Sequence, residues 1–264
     1  MTDSGPRVVD VESFGGGVSL IRLNRPERLN AIDDRLVDHL HAAIDHVERD
    51  QECRTVILTG AGRGFCSGFD MRGGDYSGDP RERPLPTLLR GQERLADLVI
   101  RLHELPKTVV AAVNGPAAGG GFALATAADL RVGSDTAFFT AANIKIGVSG
   151  GEMGLSFLLP RIIGATRAAE LLLTGRRMDA HEAASAGYLN RVVPGAELLD
   201  EARRLATEVA ANSSFAVWMT KQLLDVSATS GSLRQAIAAE NRVQVLCNFT
   251  GDVADAVAAF RGGQ

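Results

Sequence analysis

Apolar and polar positions follow two periods along the first half of the chain. Runs rich in β-branched residues at Val18–Leu23, Thr55–Thr59 and Thr108–Val113 read as strands. The last is almost continuously apolar, as expected where a sheet is covered on both faces. Between the first two, Leu36, Leu40, Ile44 and Val47 recur at three- and four-residue spacing and predict an amphipathic helix; Leu95–Leu105 predicts a second. Gly121–Ala128 reads as a helix, Leu130–Gly133 as a strand, with a further strand near Ala137–Thr140. Beyond residue 154 the strand signal fades to Arg191–Val193. Helical patterns fill Ala165–Thr174, Asp179–Ala186, Leu198–Ala211, Phe215–Val226, Leu233–Asn248 and Asp252–Phe260, with Asp179 as an N-cap and Gly187 as a stop. The order predicts an α/β core of repeating βα units over residues 1–195, then a helical C-terminal region over 196–264. Residues 71–86, rich in Gly, Pro and charge, predict a surface loop.

Composition narrows the classes. With 45% hydrophobic and 23% charged residues the chain reads as an ordinary globular protein. A net charge of −4 gives no basic field for nucleic acid or an anionic membrane. No apolar run nears the roughly 18 residues of a membrane helix, and the first residues lack the pattern of a signal peptide. The cysteines, Cys53, Cys66 and Cys247, have neither CxxC nor metal spacing, so we expect reduced thiols, a cytoplasmic setting and no metal.

Chemistry is suggested by three glycine-rich stretches. Gly60–Asp70 (GAGRGFCSGFD) follows a strand, but Phe65 stands where a dinucleotide fingerprint needs glycine, and no Gly-Lys pair supports a phosphate-gripping loop. Asn114–Ala125 (NGPAAGGGFALA) opens a helix with three glycines, which suits either tight helix–sheet packing or a ligand oxygen at the helix N–H groups. Two such turns offer two converging N–H donors, the parts of an oxyanion hole. Gly147–Gly154 (GVSGGEMG) fits the G-x-S-x-G pattern of a hydrolase elbow. Only His181 lies downstream of Ser149, inside a helical pattern, so the match reads as accidental. Glu152 is either a proton carrier or the acidic start of the helix that follows. His39, His41, His46 and His103 read as surface or half-buried helix residues, and Cys66 as a small buried side chain.

Several segments in order resemble the enoyl-CoA hydratase/isomerase (crotonase) superfamily: Leu23–Ile32 (LNRPERLNAI), Gly62–Asp70, Val109–Val132, Leu158–Val193 and Ala256–Phe260 (AVAAF). The resemblance implies a crotonase-like α/β spiral of ββα units with a helical C-terminal trimerisation region, assembled as a homotrimer or a dimer of trimers. It implies an acyl-CoA substrate from fatty acid metabolism, whose coenzyme A is part of the substrate, with no separate cofactor. The backbone N–H groups of Phe69 and Gly120 would form the oxyanion hole. Phe69, Asp70, Met71 and Arg72, with Gly120, would bind the CoA thioester, Arg72 as a phosphate contact and the Phe69 ring as a wall of the acyl pocket. Family hydratases carry glutamates where this chain has Ala123 and Asn143. Related isomerases draw a carboxylate from the position of Gly151, one residue before Glu152. The resemblance therefore makes Glu152 the leading proton carrier, with Asn143 orienting water or substrate. It implies hydration of a 2-enoyl-CoA, with double-bond isomerisation or another enolate reaction as the alternative, and a catalytically depleted acyl-CoA-binding protein as a further one. Relatives extend past the AAF helix with a basic segment, whereas here Arg261 is the one basic residue after it.

Overall fold

The computed structural model describes residues 7–72, 83–254 and 257–258. Its main sheet has six strands in the order β1-β2-β3-β4-β6-β9, where β1 is Val9–Gly15, β2 Val18–Leu23, β3 Thr55–Gly60, β4 Thr108–Val113, β6 Leu130–Ser134 and β9 Arg191–Val193. Only β1 and β2 pair antiparallel; the remaining pairs are parallel. A small second sheet joins β5 (Pro116–Ala118), β7 (Phe138–Thr140) and β8 (Met178–Asp179) in the order β5-β7-β8.

The two-residue side-chain alternation of a strand divides the core in two. Ile21, Leu23, Val56, Leu58, Val109, Ala111 and Val113 face one apolar layer with α1 (Asp34–Arg49), α2 (Leu85–Glu104) and α3 (Gly120–Ala127). Val18, Leu20, Ile57, Val110, Ala112 and Val132 face the other, covered by Leu198, Ala202, Ala206 and Ala210 of α7 (Leu198–Ala210). The four-residue spacing on α7 gives one narrow small-residue stripe, so the helix lies close against the sheet. Thus the helical region expected from residue 196 begins with a helix that is a layer of the core.

Between these lie α4 (Leu155–Ile163), α5 (Ala165–Thr174) and α6 (Ala180–Ser185), the last capped by the Asp179 side chain on the Glu182 amide, as its sequence predicts. Two further helices, α8 (Ser214–Thr229) and α9 (Leu233–Cys247), bury almost nothing; Ala236 is the one buried residue they contain. Lys221 pins α8 to the core by donating to the Asp129 carboxylate at 2.9 Å and to the Lys107 carbonyl at 3.3 Å.

Three strands are absent from the sequence reading. Strand β1 carries Asp10 and Glu12 at the sheet edge, and β5 and β8 have three and two residues. Helix α2 starts ten residues before the expected Leu95, because its first turns expose Leu85 and Leu89 instead of burying an apolar face. Most of the loop expected at 71–86, namely 73–82, and the C-terminal residues Phe260 and Arg261 lie outside the described residues.

Candidate active site

The two glycine-rich turns leave adjacent parallel strands, β3 and β4, and are joined backbone to backbone. The Phe65 and Cys66 amides both donate to the Pro116 carbonyl at 3.1 Å, and the Ala118 amide donates to the Cys66 carbonyl at 2.9 Å. Buried Asn30 braces the first turn: its side chain accepts from the Arg25 amide and donates to the Ala61 and Gly64 carbonyls. Gly68 has φ +85, and a Cβ there would stand 2.7 Å from the Ala118 carbonyl oxygen and 3.5 Å from the Gly120 nitrogen. Only a residue without a side chain permits that approach. The amide of Phe69 follows directly. Gly120 is the first residue of α3, and helical geometry gives the N–H groups of that turn no intrahelical acceptor. Of the two expected donors, Phe69 lines a cavity of about 550 Å³ together with Gly68 and Gly119. Gly120 is buried one residue behind that lining, under Met153 and Ile32.

The opposite wall comes from residues 142–154. A single turn of 3-10 helix, Ala142–Ile146, presents Asn143. Its Nδ2 donates to the Ser149 carbonyl, which fixes the amide orientation and leaves Oδ1 buried, with no hydrogen-bond partner among the described residues. Glu152 Oε1 is in the same condition. Both converge on one glycine: a methyl group on Gly119 would meet Glu152 Oε1 at 3.2 Å, Asn143 Oδ1 at 3.9 Å and Gly68 Cα at 4.0 Å. Burial pushes the Glu152 carboxyl up to about 7. A group poised there both takes and returns a proton near neutral pH.

Glu152 is not a helix-start residue. Helix α4 begins at Leu155 and has no acidic residue in its first turn. Instead, Glu152 opens a tight turn closed by the Leu155 amide on the Glu152 carbonyl at 2.9 Å, with φ +46 at Met153 and +81 at Gly154. Positive φ at both central positions is the mirror-image, type I′ geometry, where Asn or Gly is the usual first residue. Methionine there carries strain of about 1–2 kcal/mol.

Met71, Phe69 and Gly119 line the cavity together with apolar Leu88, Ile146 and Val148; Arg83 and Gln92 add polar character. Among the described residues Glu152 is the one carboxylate on that lining, and no histidine reaches it. Ala123 is fully buried in α3 and is absent from the lining. Ser149 is exposed, in a turn that follows no strand, and its Oγ accepts from the Gly151 amide at 3.2 Å; nothing there activates a hydroxyl. Burial pushes the Cys66 thiol up to about 12, which keeps it protonated and inert.

Asp70 and Arg72 belong to a neighbouring cavity of about 350 Å³, where Arg28, Arg63 and Arg72 gather beside Ser67, Phe69 and Met71. The Asp70 carboxylate is engaged by Arg25 at 2.9 Å and by the Arg72 amide at 3.1 Å. Burial raises its pKa, but those bonds and the arginine charges outweigh it and hold the group below the usual range. Asp70 thus braces the segment from within.

The two turns, a buried carboxylate facing them and an arginine-lined annex agree with a family match. The enoyl-CoA hydratase/isomerase model matches residues 13–261. The chain belongs to the enoyl-CoA hydratase/isomerase family. A Mycobacterium bovis protein named as a probable enoyl-CoA hydratase is 42% identical over 244 residues, 92% of this chain and 86% of that one. The 1,2-epoxyphenylacetyl-CoA isomerase of Escherichia coli is 39% identical over 245 residues, 92% of each. An enoyl-CoA hydratase structure from a Polaromonas species superposes with a TM-score of 0.89 at 30% identity, covering 97% of both chains. The fold is therefore the crotonase-like fold of this family, and the chain is an enzyme of the hydratase/isomerase type. Nothing in the sequence singles out Met153, Arg83, Gln92 or the Arg25–Asp70 pair. Asn30 sits within a quoted motif, yet its bracing role emerges only from bonds to residues more than thirty positions away.

Proposed function

We propose that the protein hydrates a 2-enoyl-CoA thioester through an enolate, with Glu152 as its single proton carrier. The observation that carries this is the convergence of Glu152 Oε1 and Asn143 Oδ1, both buried and unpartnered among the described residues, on the Gly68–Gly119 contact. In this reading the thioester oxygen accepts from the Phe69 and Gly120 amides. Asn143 Oδ1 accepts from a water at C3, and the Glu152 carboxylate takes that water's second proton as its oxygen bonds to C3. The C2=C3 electron pair moves onto the thioester as an enolate held by the two amides. Glu152 then returns the proton to C2 and is again a carboxylate. Each amide is worth about 2.7–4 kcal/mol of barrier, and the carboxylate about 10²–10⁴-fold in rate.

The arginines of the smaller cavity suit the CoA phosphates, with Arg72 closest in sequence to the oxyanion turn. The chemistry uses no cofactor besides the coenzyme A of the substrate. Exposed Leu224, Leu233, Val245 and Phe249 on and beside α8 and α9 suit burial against further copies, in the trimer or dimer of trimers that the resemblance implies. The sparse, odd cysteine set supports a cytoplasmic setting. No helix among the described residues is long and apolar enough to cross a membrane.

One observation favours a second reaction, isomerisation of a 3-enoyl to a 2-enoyl thioester: a lone carboxylate suffices to move a proton from C2 to C4. The test follows conjugated-thioester absorbance on both substrates for wild type and Glu152→Gln. Loss of crotonyl-CoA absorbance in wild type alone supports hydration. Gain of absorbance from the 3-enoyl substrate with no hydration selects isomerisation. Tight acyl-CoA binding without turnover of either overturns both and leaves a binding protein.

A further inference from the structure

We infer that Met153 is a positioning residue that locks the Glu152 carboxyl and the Gly120 amide into one fixed relation. This deepens, and rests on, the reading of Glu152 as the proton carrier. Two consecutive loop residues lie over two consecutive glycines. Glu152 reaches the Gly119 position, where a methyl group would meet its Oε1 at 3.2 Å. Met153 covers the next residue: a methyl group on Gly120 would meet Met153 Sδ at 3.1 Å, its Cε at 3.9 Å and Ile32 Cδ1 at 2.9 Å. The glycine side of this register is tied to the second sheet. The Gly119 amide donates to the Thr140 carbonyl at 2.9 Å, and Thr140 is itself tied through its hydroxyl to the Gly175 carbonyl at 3.0 Å.

The backbone makes the side chain's role explicit. Met153 takes φ +46 in a mirror-image turn that glycine or asparagine fills with less strain, yet it is only 5% exposed. Strain of this kind persists where surrounding contacts over-determine it, and it gathers at active sites. Here the contact is the thioether on Gly120 and Ile32. It holds the turn down, sets the direction of Glu152 one residue earlier and closes one side of that carboxyl to water.

The test compares Met153→Gly, Met153→Leu and Glu152→Gln by thermal melting, by kcat and KM on the enoyl-CoA substrate, and by the pH profile of kcat/KM. Glycine relieves the turn but removes a buried side chain, so Met153→Gly is expected to melt cooperatively at a lower temperature than wild type. Its kcat is expected to fall about 10²-fold with KM little changed, as for a misplaced catalytic group. The acid limb of the profile is expected to move from near 7 toward the ordinary carboxylate range as water reaches Glu152. Met153→Leu, which keeps the bulk, restores both. Should the glycine variant not fold, Met153→Ala carries the same readouts. An unmoved acid limb and an unchanged kcat in the truncated variant overturn the inference. Full activity in Glu152→Gln instead removes the reading beneath it, and the two failures are told apart in one set of assays.

Discussion

One wall of the cavity is built from absent side chains and the other from present ones. On the glycine wall, residues 60–70 and 114–121 approach so closely that a Cβ on Gly121 would fall 2.1 Å from the Cys66 carbonyl oxygen. What that wall offers is backbone, held by the fold. On the loop wall the key polar atoms are Asn143 Oδ1 and Glu152 Oε1, which have no hydrogen-bond partner among the described residues. In the mechanism proposed above, the first wall stabilises charge on the thioester whatever the reaction. The second wall decides which reaction follows. On that proposal, binding and enolate stabilisation rest on the fold, while proton chemistry rests on a short strained loop.

The contrast breaks if the two walls respond alike to substitution. The largest effect is expected for Gly121→Ala, which forces a methyl group into backbone. It should cost more than about 4 kcal/mol and abolish the cooperative melt. Glu152→Gln should leave a folded protein that still binds acyl-CoA, with turnover lower by about 10²–10⁴-fold. A calorimetric titration beside the kinetics separates these outcomes; loss of binding together with turnover contradicts the division of labour.

A third effect has a sign fixed by linkage. The Glu152 carboxyl is raised from 4.5 to about 7 in the folded state, so between those values the folded protein binds more protons than the unfolded one. The cost of burying this group is absent below about pH 4.5, grows as pH rises and is complete above about pH 7. Its ceiling is about 3 kcal/mol, and the part of the group left open to the cavity brings it nearer ~2 kcal/mol. Glu152→Gln should therefore be more stable than wild type at pH 8, and the advantage should vanish at pH 4.5. Denaturant melts at the two values check this; an equal difference at both contradicts it. The smallest effect sharpens the choice of reaction. Asn143→Leu removes the water-holding oxygen, so hydration should slow by about tenfold while C2 proton removal changes little.

The same contrast explains what could be read from sequence. Strands β2, β3 and β4 are legible almost to the residue because both faces are buried and the apolar run has nowhere to break. Strand β1 is hidden by its edge charges, and the start of α2 by apolar residues that face outward. The glycine wall is legible because steric exclusion writes itself into composition: a residue that must lack a side chain has to be glycine. The loop wall is only half legible. Glu152 announces itself by charge, but the left-handed backbone of Met153 leaves no mark on its identity. Nor does Asp70 betray its partner Arg25, forty-five positions earlier, so its burial as a brace appears only in three dimensions.

Everything above turns on whether this cavity makes an enolate and whether Glu152 moves the proton. The most direct measurement is exchange of the C2 protons of a saturated acyl-CoA, such as butyryl-CoA, in heavy water, followed by proton NMR. Such a substrate has no double bond to hydrate or shift, so only enolate formation is read. The C2 signal is expected to disappear with wild type and to persist with Glu152→Gln, while both proteins bind the thioester. Persistence of the C2 signal with a wild-type protein that nonetheless binds butyryl-CoA, or equal loss with both proteins, would contradict it.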